Sequence, residues 1–116
     1  MHLKIVLIAL CCCAGYLARA QATCEKPIIP DVFTPNGDGF NDQWVMNCLI
    51  DFTDNTLTVY DRWGAQVYYA QGYDSNWDGT NASDNKDLPD GVYVYVLSYT
   101  DQQQKLTLRG TVTILR

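Results

Sequence analysis

The stretch Val92-Tyr93-Val94-Tyr95-Val96-Leu97-Ser98-Tyr99 decides the fold class. Its alternation with a period of two sets Val92, Val94 and Val96 on one face of an extended chain, and Tyr93, Tyr95, Leu97 and Tyr99 on the other. Neither face is strongly polar, so the pattern predicts a central strand covered on both sides. Working outward, Leu57-Thr58-Val59-Tyr60 and Gln66-Val67-Tyr68-Tyr69 flank Asp61-Arg62-Trp63-Gly64-Ala65 and read as a hairpin with a longer loop. Downstream, Leu106 to Arg109 and Thr111 to Leu115 read as a last strand interrupted by a bulge at Gly110. Upstream, Ile28 to Phe33 contains Pro30 and reads as a first edge strand, with Gln43 to Asn47 as a second short one. No segment carries helical spacing over about ten residues, and β-branched and aromatic residues dominate the runs. The expected fold is all-β, a single immunoglobulin-like β-sandwich of about seven short strands.

The start of the chain has a different character. Met1-His2-Leu3-Lys4 is a short basic opening, Ile5 to Leu17 is an apolar run, and Ala18-Arg19-Ala20 supplies the small residues a signal peptidase reads. That run falls short of the roughly twenty residues needed to cross a bilayer, so residues 1–20 read as a cleaved secretory signal and not as an anchor. Leu10 before Cys11 fits a lipobox poorly, and Cys11, Cys12 and Cys13 lie inside the apolar run. Of the 116 residues, cleavage after Ala20 leaves 96, enough for one domain. The mature chain carries six basic residues against thirteen acidic ones, a net charge of −7. Such a surface repels phosphate backbones and excludes nucleic acid as a partner, while it suits export and the binding of hard cations. Cys24 and Cys48 remain as an even pair in an oxidising compartment and read as a disulfide, the alternative being two separate thiols.

Two kinds of turn could carry chemistry. In Thr34 to Asp42, Gly37 and Gly39 permit a tight turn while Asn36, Asp38, Asn41 and Asp42 offer closely spaced oxygens. Calcium, which takes six to eight hard oxygen ligands, is one reading of that spacing, with Asp38 and Asp42 first among the ligands. The other reading is that these side chains cap the turn's own backbone amides. Arg62-Trp63-Gly64 and Trp77-Asp78-Gly79 are two tryptophan-bearing turns, the second anchoring one end of a polar loop from Asp74 to Asp90. Exposed tryptophans would stack on sugar rings and make a glycan a candidate partner; buried ones, together with Trp44, would fill a small core. Catalysis is poorly supported. His2, the single histidine, lies in the signal, so the mature chain holds neither a Ser-His or Cys-His pair nor a zinc-ligand cluster.

Taken in order, Thr34-Pro35-Asn36-Gly37-Asp38-Gly39-Phe40-Asn41-Asp42, Asp61-Arg62-Trp63-Gly64, Trp77-Asp78-Gly79, Leu88-Pro89-Asp90-Gly91-Val92-Tyr93 and the closing Gly110-Thr111-Val112-Thr113-Ile114-Leu115-Arg116 form a series of turn motifs. The series resembles the gliding-motility-associated C-terminal domain family, the type B sorting domain of the bacterial type IX secretion system. The resemblance covers residues 28–116 and leaves 21–27 as a short N-terminal segment with almost no room for cargo. It implies a protein taken through the inner membrane by its N-terminal signal. An outer-membrane translocon would then recognise it, leaving it at the cell surface or secreted. It further implies recognition through Arg62, Trp63, Gly64, Trp77, Asp78 and the closing Val112, Thr113, Ile114, Leu115 and Arg116. That last strand is expected to pair with an edge on the receptor, because no residue follows it. A free-standing surface or matrix binding module on the same fold is the second class of function.

Overall fold

The computed structural model of the protein describes residues 24–116, so the secretory signal expected at residues 1–20 and Gln21 to Thr23 lie outside the described residues. The chain is built almost wholly of extended segments: β1 (Val32–Phe33), β2 (Thr53–Tyr60), β3 (Gln66–Gln71), β4 (Gly91–Asp101) and β5 (Gln104–Ile114). A single 3-10 turn spans Leu49–Asp51 among the described residues. The strands form one sheet in the order β1-β5-β4-β2-β3. All pairings are antiparallel except β1 with β5, which is parallel and sets Val32 beside Thr113 and Phe33 beside Ile114. The architecture is all-β and sandwich-like. Its second layer consists of the connecting segments, held by isolated bridges between Ile28 and Asn47 and between Thr80 and Asp87. Gln43 to Asn47 belongs to this layer and pairs through that one bridge, where a short strand was expected. Among the described residues no helix is long and apolar enough to cross a membrane.

The alternation of β4 is realised, with one correction. Tyr93, Tyr95, Leu97 and Tyr99 are buried, but Val92 and Val94 are exposed, so the strand is covered on one face and not on both. The long connecting segments before β2 and between β3 and β4 pack on the tyrosine side, and the valine side is the sheet's open face. Covering the core this way requires bulky side chains that can bridge from loop to sheet. Trp44 and Trp77 do so at 0% and 2% exposure, with ring centroids 5.9 Å apart. Their indole N–H groups donate to the carbonyls of Pro30 and Thr80, each at 2.9 Å, so neither polar atom is left unpaired. Tyr73 ties the layer together, its hydroxyl donating to the Trp44 carbonyl at 2.6 Å and accepting from the Trp77 amide at 3.0 Å.

Gly110 is not a bulge. It pairs in register with Tyr95 in an unbroken β4–β5 ladder. A β-carbon at Gly110 would lie 2.7 Å from the Tyr95 hydroxyl and 2.9 Å from its ring, so the glycine clears space for the tyrosine. The ring thereby reaches Trp44, edge-on at 5.3 Å between centroids. Cys24 and Cys48 form the expected disulfide, with their α-carbons 5.8 Å apart, and fasten the N-terminal segment to the 3-10 turn.

Candidate functional site at the turn-bearing end of the sheet

The motif turns, scattered in sequence from Thr34 to Arg116, gather at one end of the sheet. Asp61 opens the turn between β2 and β3. Its carboxylate accepts the amides of Trp63 and Ala65 at 2.9 Å each, and Gly64 takes the left-handed conformation that closes the turn. That capping leaves Trp63 82% exposed, with the Arg62 guanidinium 5.8 Å from its ring centroid. Arg62 also lies beside Gly91, and a shallow pocket joins this turn to Leu88, Pro89 and Asp90. The Tyr93 hydroxyl donates to the Pro89 carbonyl at 2.7 Å. Burial pushes that phenol above its ordinary value, with the negative charge of Asp61 adding to the shift.

Arg116 joins the remaining turns. Its side chain, 22% exposed, donates to the carbonyls of Leu88 and Gly79, the latter at 3.2 Å, and pairs with the Asp90 carboxylate at 3.4 Å. Its own amide donates to the other Asp90 oxygen at 3.1 Å. Asp87 stands 3.8 Å away on the exposed side. Gly79 is the meeting point. It has φ +83°, and a β-carbon there would sit 3.1 Å from the Arg116 Nη2 and 3.2 Å from the Pro35 Cγ. Three motifs thus touch at one glycine: the Thr34–Asp42 loop, the Trp77–Gly79 turn and the closing segment.

In the Thr34–Asp42 loop, Asp42 turns its carboxylate inward. One oxygen accepts the amides of Asn36 at 3.2 Å and Gly37 at 2.9 Å, and the other accepts the Gly39 amide at 2.8 Å. Asn36 Oδ1 takes the Asp38 amide and Asp38 Oδ1 takes the Phe40 amide. Asn41, in the left-handed region, directs its carbonyl to the Thr34 amide. These bonds, led by that from Gly39, hold the Asp42 carboxyl below its ordinary value of 3.8. The oxygens counted as candidate calcium ligands are therefore largely engaged by the loop's own backbone. Among the described residues, one group of potential ligands outside this loop comes close together, Cys24, Cys48 and Asp51, and its two sulfurs are bonded to each other.

Of the residues expected to act in recognition, Arg62, Trp63, Gly64, Asp78 and Arg116 lie at this end, and Leu115 beside them is exposed. Trp77, Val112 and Ile114 are core residues at 2%, 0% and 0% exposure. Thr113 and Ile114 are paired on both sides, by β4 and by β1. The sequence reading missed Asp90 and Gly79 as the seats of Arg116. A basic residue following the last strand of an acidic chain, with a run of aspartates upstream, was the available signal.

Comparison with known families places this geometry in context: the family model of the CHU_C type IX secretion signal domain matches residues 27–114. No curated protein matches the chain.

Proposed function

The chain belongs to the type IX secretion signal domain family, and from that premise we propose that it is a non-catalytic sorting domain. Its turn-bearing end would be read by the outer-membrane translocon during export to the surface or the medium. The observation that carries this reading is the convergence of the family's turn motifs on Gly79 and Arg116. Residues far apart in sequence build one composite surface there, so a receptor reading it would read the completed fold and not a linear tag. Residues 1–20 supply the first address and residues 28–116 the second. The test is the location of the native protein in cells with and without a working type IX translocon. Surface or medium location that collapses to the periplasm in deficient cells supports the reading, and an unchanged location overturns it.

A second reading, a glycan-binding module, is favoured by one observation, the 82% exposure of Trp63. Trp77, buried at 2%, is unsuited to stacking on a sugar. Specific signals on a glycan array that vanish in Trp63→Ala would support this module.

A further inference from the structure

The parallel partner of β5 is only two residues long. β1 covers Thr113 and Ile114, and beyond it the outer edge of β5 runs on from Gln104 to Val112 beside a groove. The Thr113 amide donates outward to the Asp31 carbonyl, and the Leu115 amide donates outward to Phe33. Strand alternation then directs the backbone groups of Lys105, Thr107, Arg109 and Thr111 to the same side. Among the described residues, none bonds to them. All four are exposed, whereas Leu106 and Leu108 between them face the core layer, half-buried. The groove alongside is lined by Lys26, Ile28, Ile29, Tyr95, Leu108 and Arg109. Pro27 and Pro30 lack amides, which prevents this segment from forming a regular ladder with β5.

We infer that the β5 edge from Lys105 to Thr111 is a docking edge for an extended peptide strand that alternates apolar and acidic side chains. Charge decides the occupant. Of the six basic residues in the mature chain, Lys26, Lys105 and Arg109 lie along this edge or its groove, on a protein otherwise dominated by acid. Lys105, Thr107 and Arg109 project to the open face of the sheet, so an incoming strand places acidic residues opposite Lys105 and Arg109. Its intervening residues face Leu106 and Leu108 and the apolar floor formed with Ile28, Ile29 and Tyr95. A second copy of the chain is disfavoured. Antiparallel self-pairing centred on Thr107 sets Lys105 against Arg109 of the copy, and centring on Arg109 sets the two arginines together; centring on Leu108 avoids like-charge pairs but sets threonines, and no acidic residue, opposite Lys105 and Arg109. Main-chain bonds supply the affinity and the alternating side chains the register. The edge adds to the turn-bearing end, and the inference rests on the sorting reading for the source of the strand, a segment of the export machinery.

The probe is a fluorescent peptide of alternating valine and glutamate, about as long as the edge it would cover, titrated into the mature full chain, with a valine–lysine peptide as control. The expected result is saturable binding of the first alone, with slowed amide exchange at Lys105, Thr107, Arg109 and Thr111. Lys105→Glu with Arg109→Glu should weaken it at least tenfold and admit the lysine peptide instead. Thr107→Pro removes an outward amide and no backbone bond to β4, losing only the hydroxyl contact with Ser98 on that side, and should also weaken binding, its melting curve reporting the fold. Equal binding of both peptides, protection elsewhere, or concentration-dependent dimers protected at this edge would each overturn the inference. Export of the charge-swapped variant separates the two readings. Lost peptide binding with normal export keeps the docking edge but removes it from sorting, whereas translocon-independent location of the unaltered protein sinks the sorting reading alone.

Discussion

The Nη2 of Arg116 lies 3.1 Å from the point where a side chain on Gly79 would begin, and it donates to the Gly79 carbonyl at 3.2 Å. This contact joins the end of β5 to a turn thirty-seven residues upstream.

Gly79→Ala should displace the guanidinium and force alanine into a left-handed conformation at φ +83°. The expected loss is about 1–2 kcal/mol from the backbone alone, read by urea unfolding. Exported protein should fall in step, because the same glycine carries Pro35 and Arg116.

Arg116→Ala removes the pairing with Asp90 and the bonds to Leu88 and Gly79. With the side chain partly exposed, roughly 1–2 kcal/mol is expected, the lower part of the range for hydrogen bonds to charged groups. Arg116→Lys should recover less than half of it, since one ammonium cannot span both turns. Stability equal to that of the unaltered chain in Arg116→Ala would contradict the clamp.

Gly110→Ala drives a methyl group into the Tyr95 ring. Overpacking of this kind destabilises by about 1–3 kcal/mol. Because Tyr95 packs edge-on against Trp44, the near-ultraviolet circular dichroism of the indole should change as well.

The Asp42 carboxyl is depressed below 3.8 by the amides it accepts. A depressed carboxyl contributes stability that is complete above its unfolded value and is lost as the pH falls through the folded one. Ordering of the Thr34–Asp42 loop should therefore be constant from about pH 8 to about 5, begin to weaken near about 4, and be lost as the pH falls through the depressed folded value. The amide exchange of Gly37 and Gly39 measures it. Asp42→Asn should reproduce the acid behaviour at neutral pH. Added calcium should leave the melting temperature of the unaltered chain unchanged; a calcium-dependent rise that is lost in Asp38→Ala would establish the ion-binding alternative.

Opening the Cys24–Cys48 bridge, which closes a separation of 24 residues, should destabilise by about 3 kcal/mol. A melting curve with and without reductant reads the difference.

The strands were legible because their signal is local. Period-two alternation marks β4, and the Asp61–Ala65 turn marks the hairpin of β2 and β3. What covers each face was not legible, since Val92 and Tyr93 are both good strand residues and the difference lies in where distant loops pack. Trp63 and Trp77 occupy similar glycine turns, yet one is exposed and the other buried. The burial of Trp77 depends on Tyr73 and Trp44, and the exposure of Trp63 on capping by Asp61. The Asn36–Asp42 oxygens could be counted in advance, but their aim at backbone amides could not, because ligand and cap use the same residue types. Arg116 was placed among the recognition residues from motif order alone; its partners lie 26 to 37 residues away, beyond any local pattern.

The parallel pairing of β1 with the last residues of β5 also imposes a clock. Val32 and Phe33 are made early and must wait for Thr113 and Ile114, so the sheet cannot close until nearly the whole domain is available to fold. A molecule interrupted anywhere before those residues leaves Phe33, Asp90 and Gly79 without their partners. Such a chain would lack the composite surface at the turn-bearing end, so a single contact late in the chain decides whether turns made much earlier are ever assembled.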